Sequence, residues 1–315
     1  VRTLHSGQTM RIYTGAPLAL APDTVVMQEK INLIGMATIQ IQDEVLKLGD
    51  NVRPEGAEVK AGSVAMLSGT NLTPAAIGYL ANIGCTEVTV YATPKIHIIL
   101  TGDELRAIGK PLGYGEVYES NSYQLKAALQ QLGIFNVESQ HVLDDKQQLK
   151  QALEGALKTA DIVVLVGGVS VGDYDYVADV AKGCGVKQHF HRIRQKPGKP
   201  GFFGTREEKL VFGLPGNPSS ALTCFYVYVV PALERIMQLP DRNRSIKART
   251  THAYSKKPGL THFLKARYDG HTVEPLHAQE SHRLQSYAQA NCLLVLEEDT
   301  EGCAAGDEVF IHLLT

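Results

Sequence analysis

The run Ile162-Val-Val-Leu-Val166 constrains this chain more than any other stretch. It is apolar, mostly β-branched and stopped by Gly167-Gly168, which predicts a strand buried on both faces. Such strands belong to parallel sheets covered by helices. Beyond it come further glycines, Ser170, Asp173 and Asp175, and then a helix-like segment from Tyr176. Ligands of open α/β sheets sit beyond the carboxyl ends of strands. Glycines there let the backbone approach a ligand and turn its N–H groups toward an anion. A tight turn needs only the two glycines. Ser170 and the paired acids exceed that need and point to a site.

The segments around this strand fit the same scheme. Residues 93–240 alternate in the α/β manner. Strands are predicted at Lys95–Leu100, within Phe135–Leu143, at Lys187–Arg194 and at Lys209–Phe212. Helices are predicted at Ser122–Leu132, Asp145–Thr159 and Tyr176–Lys182, with a long apolar one from Ala221 to about Met237 that Pro231 should kink. Residues 1–56 are cut by glycine and proline into short runs, Thr24–Met27 and Ile31–Ile34 among them, and predict a small β-rich domain. Residues 57–92 read as a connector, with a helix opened by Thr73-Pro74 and a strand at Glu87–Tyr91. Residues 241–315 predict a β-barrel or sandwich with turns at Asp269-Gly270 and Gly306-Asp307. The fold class is α/β, a mostly parallel central sheet with β-rich flanks.

Composition excludes several functions. Charged residues are 20% of the 315 and the net charge is −2, so no broad basic field invites nucleic acid or a membrane surface. No apolar run reaches the ~18–20 residues of a membrane span. Five cysteines without CxxC spacing signal neither a disulfide framework nor a zinc knuckle, and suit a reducing, cytoplasmic compartment. The GxSxG, HExxH, GxxxxGK[ST] and GxGxxG patterns are absent, which argues against a serine hydrolase, a zincin, a Walker NTPase or a dinucleotide enzyme.

Four loops follow strands of the central segment: Thr101-Gly-Asp-Glu104, Gly167 to Asp175, Lys196-Pro-Gly-Lys-Pro200 and Gly213 to Ser220. In a parallel sheet all four lie on one edge. Lys196 and Lys199, stiffened by Pro197 and Pro200, make an oxyanion site, although lysines are more often simply solvated. Pro215, Gly216, Asn217, Pro218 and Ser219 lead into a helix that Asn217 or Ser219 can cap, and free N–H groups at a helix start attract anions. Asp103, Glu104, Asp173 and Asp175 would share this rim. Oxygen-only acids among phosphate contacts suit Mg²⁺. Alternatively Asp103 caps a helix after it, or the acids accept N–H groups of a heterocycle. Glu119-Ser-Asn-Ser122 is first a capping sequence, and becomes a ligand contact only if its start faces the same rim. His189 and His191 read as packing or edge residues.

Together these four loops, in this order and spacing, resemble the MoeA-type molybdopterin molybdenumtransferases, the family that includes the C-terminal catalytic domain of gephyrin. The likeness extends to Thr14-Gly-Ala-Pro17 and Val25–Glu29 (a lid domain), Asn51–Tyr91 (a connector), and Glu280-Ser-His282 with Ala305–Val309 (a C-terminal β domain). It implies a lid domain over 1–56 lacking its N-terminal part, a connector over 57–92, a molybdopterin-binding domain over 93–240 and a β domain over 241–315. It implies insertion of molybdate into adenylylated molybdopterin with release of AMP, assisted by Mg²⁺ or a similar cation, in a homodimer whose lid covers the neighbour's site. Asp103, Asp173, Lys196 and Lys199 would be catalytic, and Asp103, Asp173 and Asp175 would hold metal. Thr101, Gly167, Gly168, Ser170, Asp175, Glu119 and the Pro215–Ser219 run would bind substrate, joined by Thr14 and Ser281. The family commonly carries Phe-x-Arg where this chain has Phe263-Leu-Lys265, and lysine lacks the bidentate grip of arginine on an oxyanion. Two rival functions are adenylylation of molybdopterin, which MogA-like proteins perform with one domain, and a non-catalytic scaffold. A separate adenylylating partner is compatible with the main one.

Overall fold

The computed structural model describes residues 3–169, 176–239 and 245–314. The chain divides into two compact units, Val1–Val88 and Thr89–Thr315. In the first, β1 (Ile31–Ile34) and β2 (Thr38–Ile41) form an antiparallel hairpin. Helix α1 (Pro74–Asn82) starts as expected, with proline at its head and the Thr73 hydroxyl accepting the Ala76 amide at 3.2 Å. Two expected strands do not form. Around Thr24–Met27 single bonds replace a ladder: Val25 N–H donates to Asp50 O, and Asn51 Nδ2 donates to Val25 O. Among the described residues Glu87–Tyr91 pairs with no strand, and Val88 and Val90 are exposed. Alternation predicts a strand only where one face has something to bury against.

The second unit begins with β3 (Ile96–Thr101), the small β4 (Leu105–Arg106) and β5 (Val117–Tyr118), and α2 (Asn121–Gln131). It continues through β6 (Val137–Val142), α3 (Lys146–Thr159), β7 (Ile162–Val166) and α4 (Val177–Gly183). Next come β8 (Lys187–His191), β9 (Gln195–Lys196), β10 (Phe202–Arg206) and β11 (Lys209–Leu214). A six-stranded sheet has the order β6-β3-β7-β11-β10-β8. Strands β6, β3, β7 and β11 are parallel, while β10 is antiparallel to both of its neighbours. Strand β8 therefore runs the same way as β11. Strand β10 escapes a reading by pattern, because Phe202-Phe-Gly-Thr-Arg206 follows a Pro-Gly loop directly. His189, on the edge strand β8, bonds Thr205 Oγ1 at 2.8 Å, in keeping with an edge role.

Strand β7 shows why this sheet is the core. Ile162, Val164 and Val166 pack on one face with Leu125 and Leu129 of α2 and Phe225 and Leu233 beyond it. Val163 and Leu165 pack on the other with Leu149 and Leu153 of α3 and Val180 of α4. The period of two divides one apolar run between two helical layers. One long helical stretch follows β11: α5 (Pro218–Cys224), a π-helical turn (Phe225–Val229) and α6 (Val230–Ile236). The expected disturbance at Pro231 takes this form: the widened turn lies just ahead of the residue that has no N–H to give.

The remaining strands are β12 (Ser245–Thr250), β13 (Tyr254–Ser255), β14 (Thr261–Tyr268), β15 (Thr272–Pro275), β16 (Cys292–Leu296), β17 (Gly302–Cys303) and β18 (Glu308–Leu313). Five of them close into a barrel, since β15 pairs with both β12 and β14. Strand β9 adds to β14 in parallel, so the loop leaving the α/β sheet is stitched into the barrel wall. Among the described residues no helix is long and apolar enough to cross a membrane.

Two outcomes follow from this packing. Leu165→Ala opens a cavity in a fully buried position and should destabilise the protein by about 2–5 kcal/mol, read by urea denaturation. At the β14–β15 turn, the Thr272 and His271 amides and the Thr272 hydroxyl hold the Asp269 carboxyl down from 3.8 to about 2. A depressed carboxyl contributes stability above its unfolded value and loses it as pH falls through its folded one. Wild type should therefore melt above Asp269→Asn at pH 5, with the gap closing as pH falls from about 4 toward 2.

Candidate functional site

The floor of the site is made where β3, β7 and β11 end side by side. The Gly167 amide donates to Leu214 O at 3.1 Å. Gly167 has φ +92°, and a Cβ there would stand 2.5 Å from Thr101 O and 2.8 Å from Thr101 Oγ1. Any side chain at 167 would push two of the three strand ends apart. Thr101 is buried, and its Oγ1 has no hydrogen-bond partner among the described residues.

Asp103 is exposed and half engaged: its Oδ1 accepts the Asp144 amide at 3.0 Å, tying this loop to the approach to α3. It caps no helix, because the segment after it is strand β4, paired with β5. The loop is fixed again by His141 Nε2 on Gly102 O at 2.8 Å.

The start of α2 does face the rim. Asn121 Nδ2 donates to Gly216 O at 2.8 Å, and Gln124 Nε2 donates to Pro218 O at 2.9 Å and to Asn121 Oδ1 at 2.7 Å. Glu119 accepts the Ser122 amide at 2.8 Å, the capping role expected of it. Asn121 stands inside the Glu119–Ser122 run, but nothing local points to its bond with Gly216, and Gln124 carries no sequence signal, since each acts on a loop more than 90 positions away.

Pro215 to Ser219 meets a second contributor. Asn217 holds the cap position of α5 without a side-chain cap bond; its Nδ2 donates instead to Ser281 Oγ at 3.1 Å. Ser219 does not cap the helix either. Its amide donates to Ser281 O at 3.1 Å, and its buried hydroxyl has no partner among the described residues. An amide expected to be free for an anion is thus already engaged. Ser281 lies between β15 and β16, so the barrel supplies part of the rim.

The lysine loop flanks this centre instead of joining it directly. Gly198 sits on Cys224: a Cβ there would stand 2.4 Å from Cys224 Sγ and 2.7 Å from Gln195 Nε2. Cys224 is six residues along the helix from Pro218, roughly 9 Å at the helical rise. The buried Gln195 organises the loop. Its Nε2 donates to Pro197 O at 2.9 Å, and its Oε1 accepts the Tyr228 hydroxyl from the π-helical turn. Burial pushes the Cys224 thiol up to about 12, so it is an inert packing group. Lys196 and Lys199 are exposed on a fixed backbone, where Lys199 O accepts the Ile193 amide at 2.7 Å.

Ser170, Asp173 and Asp175 lie outside the described residues. Among the described residues no three His, Cys, Asp or Glu side chains gather closely enough to hold a metal. Thr14 is exposed in the Tyr13–Ala16 turn of the first unit.

A doubly covered sheet with a glycine-lined carboxyl edge is the class of domain that residues 97–235 match: the probable molybdopterin binding domain. Residues 1–84 match the MoeA N-terminal region (domain I and II), and residues 247–314 the MoeA C-terminal region (domain IV). A molybdopterin molybdenumtransferase of Haemophilus influenzae is 34% identical over 98% of this chain and 79% of its own length. One from Nostoc sp. is also 34% identical, over 98% and 73%. A crystal structure of the molybdopterin biosynthesis MoeA protein of Pyrococcus horikoshii has a TM-score of 0.76 at 29% identity, covering 93% of this chain and 72% of that one. The chain belongs to the MoeA family.

Gln195→Leu should leave the part-buried Pro197 carbonyl and Tyr228 hydroxyl without these bonds and lower the unfolding free energy by about 1–3 kcal/mol. Tyr228→Phe, which removes one bond only, should lower it less; both are read by chemical denaturation.

Proposed function

We propose that this chain acts in molybdenum cofactor biosynthesis, inserting molybdenum from molybdate into adenylylated molybdopterin and releasing AMP. The carrying observation is the meeting of Thr101, Gly167, Gly216 and the α2 start at one sheet edge, with Ser281 brought in from the barrel. An adenylylated pterin presents a phosphoanhydride and molybdate is an oxyanion, so the reaction needs a rim that accepts negative charge at two places. Gly216, exposed at the rim, admits a phosphate oxygen close to the backbone, above the floor that Gly167 packs. Thr101 Oγ1 and Ser219 Oγ, buried without described partners, are hydroxyls suited to complete such a cradle. Asn217 and Ser281 hold the helix head against the barrel, and Ser281 meets the molybdate. Ser170 and Glu119 complete the substrate contacts.

Lys196 and Lys199 supply positive charge beside the departing AMP. Their loop is held from beneath by Gln195, so the ammonium groups start from a fixed backbone and lose little freedom on binding. Asp103 retains a carboxylate oxygen not used by Asp144, which suits a divalent cation such as Mg²⁺ shared with Asp173 and Asp175. When bound, that cation neutralises charge on the phosphoanhydride.

The first unit supports a homodimer. None of its described residues is buried, and Leu33 and Met36 of the β1–β2 hairpin are 70% and 103% exposed. A surface of that kind calls for a cover. In this reading a second copy provides it and places Thr14 at the neighbouring site. A separate adenylylating protein delivers the substrate, and the whole works in the cytoplasm.

Full-length protein given adenylylated molybdopterin, molybdate and Mg²⁺ should release AMP, and EDTA should suppress it. Lys199→Ala and Asp103→Ala should each lower kcat by about 10²–10³. AMP transfer from ATP to molybdopterin, without molybdate-dependent release, would favour the rival adenylyltransferase. Sedimentation should give a dimer; a monomer at micromolar concentration would remove the shared lid.

A further inference from the structure

The resemblance would make residue 265, arginine in the family pattern, a group that grips the oxyanion. The lysine found here is placed differently. Lys265 is 2% exposed, and its Nζ donates to Ala278 O at 2.7 Å, Arg283 O at 3.0 Å and Glu280 O at 3.4 Å. An ammonium has three donors. Three carbonyls occupy them, and nothing remains for an anion.

All three carbonyls belong to the loop that carries Ser281. The same loop is bound to the Lys265 backbone: Gln279 Oε1 accepts the Lys265 amide at 2.9 Å, and Gln279 Nε2 donates to Lys265 O at 2.8 Å and Leu276 O at 2.7 Å. Ala278 adopts φ +57°, a left-handed turn that a non-glycine residue enters only when its surroundings hold it there. Its carbonyl also receives Ser286 Oγ at 2.8 Å. The loop is therefore wrapped around a cation. Its outer side meets the head of α5 through Ser219 N–H on Ser281 O and Asn217 Nδ2 on Ser281 Oγ.

We propose that Lys265 is a positioning residue: its ammonium sets the 278–283 loop so that Ser281 is presented to the Asn217–Ser219 helix head. The consequence for turnover rests on the reading of Ser281 as an oxyanion contact.

The test uses the full chain and Lys265→Gln, which keeps two of the three donors but loses the charge and one bond of reach. Amide exchange across 217–222 should speed up about tenfold while 308–313 in the barrel is unchanged, and KM for molybdate should rise about tenfold with kcat held within about twofold. Ser281→Ala should raise the same KM, and the double variant should add nothing to it. Unchanged exchange at 217–222 overturns the proposal, as does a fully additive double variant. Should Lys265→Gln not fold, Lys265→Met, which keeps most of the length of the side chain and removes its charge and donors, is read in the same way. If Ser281→Ala leaves KM unaltered while Lys265→Gln still speeds exchange, Lys265 holds the loop as proposed and the anion role of Ser281 is what falls.

Discussion

The site depends on one close approach, that of Gly167 to the end of β3. The backbone turns at φ +92° with the Thr101 carbonyl where a side chain would begin. This lets β3, β7 and β11 end level with one another, and a level edge lets three loops from distant parts of the chain share a rim. Parallel pairing sets the register: Leu100 lies opposite Val166 and Val166 opposite Leu214. Buried apolar strands with a single usable register thus place polar loops to within a hydrogen bond of each other.

The barrel is part of this device. Strand β9 leaves the α/β sheet and pairs with β14, and β14 also carries Lys265. One barrel strand therefore touches the lysine loop at its beginning and anchors the Ser281 loop from its middle. The two flanks of the rim, which the sequence separates by some 80 positions, are attached to the same eight-residue strand. Coupling between them needs no long chain of contacts.

Much of this was legible in the residues. Ile162–Val166 announced a strand covered on both sides, and the loops after β3 and β11 announced themselves by glycine and polar groups; the lysine loop, expected on the same edge, flanks it instead. What stayed hidden has a common cause. Asn121, Gln124 and Gln195 are ordinary polar residues locally, and their role comes from partners that only the fold brings near. Strand β10 was masked by the Pro-Gly loop before it. Thr24–Met27 and Glu87–Tyr91 erred the other way, showing local β pattern without a neighbour to pair with. Asn217 does not cap α5: its Nδ2 is turned to donate to Ser281 Oγ, a partner from another layer, and its side chain makes no bond to the helix's own amides.

The central claim is that the loops at this edge, the helix head at Pro218 and the Ser281 loop form one receptacle for anions. A crystal structure of the protein soaked with molybdate and AMP measures it directly. Both guests should appear at the edge formed by β3, β7 and β11, with AMP phosphate against Gly216 and molybdate beside Ser281. Both guests ordered elsewhere, with this edge bare, would contradict it.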